Sequence, residues 1–254
     1  MEKAFTYMFR DDRFWQKSGL VFLLYFVSQY CFGLVQPENK VLTVFPNSLF
    51  VCVLGLLIFM ILSGYSFNII KLIMDKNDEI VLPEINLANN LIIGLKWILS
   101  IFLFILAFTG VYIAMILLNA AVKSVFLVVI SVVLFIIALL VLMIFFPALI
   151  AIFAKTEKIF SIFRFGMAKK IIVHNPGSYF TGVGFILLLG VLLFVIAALC
   201  LLPLMFILNK NLVFNLVYTS VIYSLISTYS VYVTSYLYAK MVDTELIEAE
   251  TEEL

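Results

Sequence analysis

The chain has 254 residues, of which 65% are hydrophobic and only 12% are charged, and its net charge is +1. A water-facing surface needs far more charge than this, so the composition excludes a soluble globular protein. The small net charge gives no indication of nucleic-acid binding, and none is expected.

The chain opens with a short aromatic and charged segment, MEKAFTYMFRDDRFW. Phe5, Met8 and Phe9 fall on one helical face, which predicts a short amphipathic helix in the headgroup region of a membrane. Asp11 or Asp12 is predicted to cap the helix that follows.

Six apolar runs follow, and none of them contains Asp, Glu, Lys, Arg or His. Each is long enough to cross about 30 Å of hydrocarbon, and continuous apolar runs indicate helices because barrel strands alternate. We therefore predict an all-α integral membrane bundle of one domain, with six transmembrane helices and short interfacial helices on the cytoplasmic side. Pro147 lies late in the fourth run, where a kink or a helix end is expected. The predicted spans are 18–36, 47–70, 97–120, 124–152, 179–208 and 212–238.

The basic residues predict the orientation. All of the 16 Lys and Arg residues except Lys40, Lys123 and Lys210 lie in the N-terminal segment, the second and fourth connections or the tail. The positive-inside bias then places both termini in the cytoplasm of a cell that carries this multi-pass protein in its inner membrane. No cleavable signal peptide is expected before the first span.

A charged connection separates the second and third spans, and its flanks carry a pattern of Gly-Tyr, Leu-Pro-Glu and Gly-Leu-Lys. This arrangement resembles a family of prokaryotic multi-pass membrane proteins, a domain of unknown function numbered four thousand and thirteen. Ile85 and Asn86 occupy the places where the family usually has an aromatic followed by acidic or amide residues. The layout is also similar to the membrane domains of glycerophosphodiester phosphodiesterases, whose catalytic barrel this chain lacks. The signature residues are Gly64, Tyr65, Leu82, Pro83, Glu84, Gly94 and Lys96.

The signature also has a physical interpretation. Gly64 allows a neighbouring backbone to approach closely, Tyr65 is expected at the interface with its hydroxyl in water, and Pro83 ends the preceding helix. The acidic residues of the 71–96 connection either collect a cation or dock a protein partner, or they form a solvated loop.

A second amphipathic segment follows the fourth span. Ile159, Phe160, Phe163, Met167 and Ile171 form an apolar stripe beside four basic residues, which predicts contacts with membrane lipid headgroups or a helix that only sets topology. Ser178 is predicted to cap the fifth span. The basic residues are Lys158, Arg164, Lys169 and Lys170.

The sixth span is rich in hydroxyl groups. Five of them fall within one sector of a helix, which indicates either a path for an uncharged substrate or close helix packing. They are Ser220, Ser224, Ser227, Thr234 and Ser235.

The sequence carries no pattern typical of catalysis. The three cysteines are widely spaced and His174 is the single histidine, so we expect no metal, no cofactor and no enzymatic activity. The acidic tail, residues 243–254, either binds a basic cytoplasmic partner or extends the sixth helix into solvent. The leading hypothesis is a non-enzymatic accessory or scaffold subunit that meets partners through the 71–96 connection and the tail. The alternative is a permease for an uncharged or lipid-like substrate.

Overall fold

A computed structural model describes residues 2–35, 47–75, 82–122, 125–207, 212–242 and 244–252. The described part of the chain is helical, with turns between helices and no strand. Its elements are α1 (Glu2–Thr6), the 3₁₀ helix η1 (Tyr7–Arg10), α2 (Phe14–Val35), α3 (Asn47–Asp75), α4 (Leu87–Val122), α5 (Val125–Thr156), the 3₁₀ helix η2 (Ile159–Phe163), α6 (Phe165–His174), α7 (Pro176–Ile207), α8 (Leu212–Lys240) and α9 (Thr244–Glu252).

Six helices, α2, α3, α4, α5, α7 and α8, are long and apolar enough to cross a membrane. The predicted all-α bundle of six spans is therefore confirmed. The third helix begins about ten residues before its predicted start, at Leu87, because Asn86 caps it. The Asn86 side-chain oxygen accepts a hydrogen bond from the Asn89 N–H at 3.1 Å, which satisfies one of the free donors of the first turn.

One end of the bundle collects η1, the segment Leu82–Asn86, η2, α6 and α9, together with the helix termini that adjoin them. We call it the basic end, because the described Lys and Arg residues lie there. Lys40, Lys123 and Lys210, which are predicted on the opposite side of the membrane, lie outside the described residues.

Two glycines bring α3 and α4 into backbone contact near the basic end. A Cβ atom on Gly64 would lie 1.8 Å from the Asn90 carbonyl oxygen, and one on Gly94 would lie 1.9 Å from that of Met60. No side chain fits in either place, so the two helices touch at the positions that the signature marks.

The core of the basic end is aromatic and aliphatic. The Trp97 ring lies 4.8 Å from that of Phe67 and 5.0 Å from that of Phe153, measured between ring centroids. Leu149 and Ile152 are fully buried beside them. Helices α3, α4 and α5 meet around this cluster.

Pro147 does not end α5, which runs through it as one helix. The Tyr179 hydroxyl of α7 enters the turn at the proline. It donates to the Ile144 carbonyl oxygen at 2.5 Å and accepts from the Ala148 N–H at 3.2 Å. A side chain thus bridges two backbone groups that would otherwise pair within the helix, and it ties α7 to α5.

The far halves of α4 and α5 form what we call the outer hairpin, residues 102–122 and 126–144. None of these residues is buried. Asn119 donates a hydrogen bond to the Ser131 hydroxyl at 2.9 Å, and the Phe135 ring packs at a tilt against the rings of Phe108 and Tyr112. The outer hairpin therefore holds its own two helices together but packs little against the rest of the bundle.

A polar clasp as the candidate functional site

Two oppositely charged side chains are buried at the basic end. Among the described residues, Asp11 and Lys17 are the charged residues that are buried, and each is 6% exposed. The Lys17 ammonium lies 3.0 Å from the Asp11 Oδ2. Asp11 lies between η1 and α2, and Lys17 lies in the first turns of α2, so the pair fixes the entry of the chain into the bundle.

The pair also binds the backbone of the signature segment. Asp11 Oδ2 accepts from the Leu82 N–H at 2.7 Å, and Lys17 donates to the Leu82 carbonyl oxygen at 2.5 Å. Arg13 and Lys17 lie 3.4 Å and 3.6 Å from Glu84 Oε1. We call Asp11, Arg13, Lys17, Leu82 and Glu84 the polar clasp.

The clasp explains why Leu82, Pro83 and Glu84 occur together. Leu82 is 2% exposed, so its side chain joins the core while its two backbone groups pair with Asp11 and Lys17. Pro83 needs no hydrogen-bond acceptor because it has no N–H. Glu84 adds a carboxylate on the solvent side, where its side chain is 73% exposed.

Burial alone would raise the pKa of the Asp11 carboxyl. Hydrogen bonds from Lys17 and from the N–H groups of Arg13 and Leu82, together with the charge of Lys17, outweigh that effect and hold the pKa below its usual value of 3.8. Asp11 is therefore ionised near neutral pH. Asp11 Oδ1 accepts from the Arg13 N–H at 2.7 Å, one residue before α2 begins, so this contact closes the turn into the helix and is not the predicted cap of its first turn.

A layer of hydroxyl groups continues inward from the clasp. Tyr7 donates to the Tyr232 carbonyl oxygen at 3.0 Å, and Ser18 donates to the Tyr232 hydroxyl at 3.2 Å. Burial raises the pKa of Tyr7 well above its ordinary value, which keeps its hydroxyl protonated as a donor. The layer joins η1, α2 and α8.

The expectation that Tyr65 has its hydroxyl in water is wrong. Tyr65 is 1% exposed, because it faces the inside of the bundle between α2, α3 and α8. Its neighbours in the signature, Gly64 and Gly94, bring α4 close on the other side of α3. Lys96 lies two residues after Gly94 on α4 and is half-buried.

The hydroxyl residues of α8 bond mostly to backbone carbonyls. Ser224 donates to the Ser220 carbonyl oxygen at 2.5 Å, and Thr234 donates to that of Ser230 at 2.7 Å. Ser235 lies 3.0 Å from the Ser66 hydroxyl of α3. Ser220, Ser224 and Ser235 are buried, and Ser227 is half-buried. This arrangement favours helix packing over a substrate path.

A second charged cluster joins the helix ends on the other side of α3. The Lys155 ammonium lies 2.5 Å from Asp75 Oδ1 and 2.6 Å from Glu248 Oε1. Lys71 lies 2.5 Å from Glu157, which ends α5 in the left-handed conformation with φ of 51°. The cluster therefore ties α3, α5 and α9 together.

The interpretation that the acidic tail extends the sixth helix into solvent needs correction. The described part of the tail neither extends α8 nor stays in solvent, because α8 ends at Lys240 and α9 packs against α5 and α6. Ile247 is fully buried, and Glu248 pairs with Lys155. Asp243, Glu253 and Leu254 lie outside the described residues.

The segment after α5 is only partly a surface for lipid. Met167 and Ile171 of the predicted stripe are buried within the protein, whereas Phe160 is 70% exposed. Lys158, Lys169 and Lys170 are exposed, and Arg164 is half-buried. The predicted cap at Ser178 is wrong: Asn175 caps α7, and its side-chain oxygen accepts from the Ser178 N–H at 3.2 Å.

The clasp is suited to holding segments together. Asp11 and Lys17 are closed off from solvent, and their polar atoms already have partners in the backbone and in each other. The described residues contain no group of three His, Cys, Asp or Glu side chains placed to bind a metal ion. Of the acidic residues expected to collect a cation, Asp75 and Glu84 form separate ion pairs, while Asp78 and Glu79 lie outside the described residues.

Residues 48–202, more than half of the chain, match the family described as protein of unknown function (DUF4013). The chain belongs to this family. No curated protein and no solved structure matches the chain. The match includes the signature residues of α3, α4 and the Leu82–Glu84 segment, whereas Asp11 and Lys17 lie before it.

Sequence reasoning missed the partners of the signature segment. The signal was present, since Asp11 and Lys17 are opposite charges at the edge of an apolar run. Nothing in their spacing says that they bind a backbone more than 60 residues away, because that contact depends on how α2 and α3 pack.

Proposed function

We propose that the chain is a non-enzymatic accessory or scaffold subunit of a membrane complex, with its basic end in the cytoplasm of a prokaryotic cell. The observation that carries the proposal is the uneven packing of the spans. In each of α2, α3 and α8, a third of the residues in the most apolar stretch are buried, whereas in the corresponding stretches of α4 and α5 none are buried. A rigid platform and an uncovered helical hairpin are the two parts that a scaffold needs.

The basic end supplies the platform in this proposal. The polar clasp and the Lys155 cluster connect the N-terminal segment, α3, α5 and α9 through ion pairs whose partners are all within the chain. Charges that are used in this way serve structure, which supports a role other than catalysis.

The outer hairpin supplies the contact surface. Gly110 of α4 has open space around it, and a Cβ atom there would meet nothing within 4 Å. Ala107 and Ala114 lie on the same side of the helix and are exposed. Small residues let a partner helix approach closely, which is the usual basis of helix association in lipid.

The test is a pull-down from native membranes in mild detergent, with a C-terminal tag and identification of partners by mass spectrometry. We expect a stoichiometric membrane partner with the wild type and with Ile105→Trp, which changes the opposite side of α4. Gly110→Trp should lose that partner while the chain stays monodisperse. A green fluorescent protein fused to the C-terminus should fluoresce in cells if that end is cytoplasmic.

Recovery of the chain alone, with transport activity in vesicles, would reject the scaffold and favour the permease. One observation supports that second candidate: an apolar cavity of 450 Å³ lies between α4, α5, α7 and α8, beside Pro147. Leu187 lines it and the adjacent Leu188 does not. A permease of this kind predicts that Leu187→Trp abolishes flux of a lipid-like substrate and that Leu188→Trp leaves it unchanged.

A further inference from the structure

An apolar groove lies at the basic end between η1, the start of α2 and the second half of α8. Its volume is 270 Å³. Phe14 and Tyr232 form one wall, with ring centroids 6.3 Å apart, and Trp15 stands at the edge, 81% exposed. The groove belongs to neither the clasp nor the outer hairpin.

The groove has the chemistry of a hydrocarbon site. Two of the hydroxyls that border it already donate within the protein: Ser18 donates to the Tyr232 hydroxyl and Thr228 donates to the Ser224 carbonyl oxygen. Gly19 leaves the floor open, because a Cβ atom there would meet nothing within 4 Å. An apolar chain therefore enters the groove without breaking either of these hydrogen bonds.

The length of the groove matches one leaflet of a bilayer. It runs along α2 from Phe14 to Phe22 and along α8 from Tyr232 to Leu225. At about 1.5 Å per residue each helix contributes roughly 10–12 Å, against about 15 Å for the hydrocarbon of one leaflet. The exposed Trp15 marks the headgroup level, where tryptophan is enriched.

A cation stands at the headgroup end. Arg10 ends η1 directly after Phe9, which lines the groove, and it is exposed. The neighbouring Arg13 is paired with Glu84, which leaves Arg10 as the guanidinium of this edge without a described ion pair. Asp12 is exposed in the same turn and provides no donor for a phosphate.

We infer that the groove binds a phospholipid, with one acyl chain along α2 and α8 and the phosphate on Arg10. The site holds a defined lipid molecule, in contrast to the lipid that merely surrounds the outer hairpin. The bound lipid joins η1, α2 and α8 on the membrane side of the N-terminal segment. The clasp ties the same N-terminal segment to Leu82 and Glu84 on its other side.

The test uses the fluorescence of Trp15 in detergent-purified protein, titrated with phosphatidylglycerol whose acyl chains are brominated. We expect saturable quenching at about one lipid per chain, because bromines near the carbonyl end of an acyl chain in the groove come within reach of the indole at its edge. Trp15→Phe should abolish this quenching, since the other tryptophan, Trp97, is buried in the core. Quenching that rises in proportion to lipid, without saturation, would overturn the site.

Two variants locate the lipid. Gly19→Leu fills the groove and should weaken binding at least about ten-fold, while the better helix former preserves α2. Gly184→Leu is the matched control, because its glycine also has open space but lies on α7. Equal quenching in both variants would reject the groove as the site.

A third variant tests the headgroup without touching the groove. Arg10→Gln should weaken binding about ten-fold through the loss of a charge-assisted hydrogen bond, and the same change at the exposed Lys169 should have no effect. Since Arg10 is exposed, its replacement leaves folding intact. Unchanged affinity in Arg10→Gln would refute the assignment of the phosphate.

Discussion

The basic end and the outer hairpin consist of the same kind of helices, but they are packed in opposite ways. Helices α4 and α5 are more apolar than α2 and α8, yet no residue of their most apolar stretches is buried, whereas a third of the corresponding residues of α2 and α8 are buried. In a membrane, burial of apolar surface between helices gives no hydrophobic stabilisation, because the surrounding lipid chains are equally apolar. Polar pairs, glycine contacts and aromatic rings therefore decide where this chain packs, and they lie at the basic end.

The largest effect is expected at the glycine contact between α3 and α4. Gly64→Ala places a Cβ atom 1.8 Å from the Asn90 carbonyl oxygen, so the helices must separate. We expect a loss of more than about 4 kcal/mol of stability, seen as aggregation on size exclusion. The control Gly184→Ala has open space and should keep or slightly raise the thermal midpoint.

The clasp is the next test. Asp11→Asn removes the buried charge partner of Lys17 and leaves it only the exposed Glu84, which should cost about 3–5 kcal/mol of unfolding free energy, measured by thermal denaturation in detergent. The exposed Asp12→Asn is the control and should change little. If the double variant Asp11→Asn with Lys17→Met is as unstable as the sum of the single changes, the two side chains are not coupled.

The same pair predicts a pH dependence. The pKa of Asp11 is lower in the folded chain than its usual 3.8, so its contribution is complete above about pH 4–5 and is lost as pH falls through the folded pKa. The thermal midpoint of the wild type should therefore approach that of Asp11→Asn at low pH. A gap that stays constant between pH 7 and pH 3 would contradict this.

The sequence predicts the six spans well because hydrocarbon thickness sets their length. It also predicts Gly64 as a point of close approach, since glycine lets helix backbones touch, whereas the same role of Gly94 is seen only in the structure. It does not predict the clasp or the folded tail, because Leu82 and Glu248 meet their partners only after α3 and α5 pack. The prediction that the Tyr65 hydroxyl lies in water fails for the same reason. Tyrosine is typical of a membrane interface, but the packing of α3 places this one inside the bundle.

Two leucine truncations compare the regions directly. Leu149→Ala removes a fully buried side chain near the basic end and should cost about 2–5 kcal/mol of unfolding free energy. Leu117→Ala changes a residue of the outer hairpin that is 64% exposed, and in the isolated chain it should have little effect. Thermal denaturation of both variants in one detergent gives the comparison. Equal losses would mean that the outer hairpin is packed after all.

The smallest effect is expected at the Lys155 cluster, where the partners are half-exposed. Lys155→Gln removes both ion pairs, and because solvent screens such pairs the loss should not exceed about 1 kcal/mol. The consequence is local: α9 should detach more often, which exposes Ile247 and speeds hydrogen exchange of its amide while the amides of α3 keep their protection. Lys169→Gln, an exposed change on α6, is the control.

Because α9 also packs through apolar contacts, salt should reproduce only part of the effect of Lys155→Gln. If high salt alone released α9 completely, the charges would hold it and the buried Ile247 would contribute nothing.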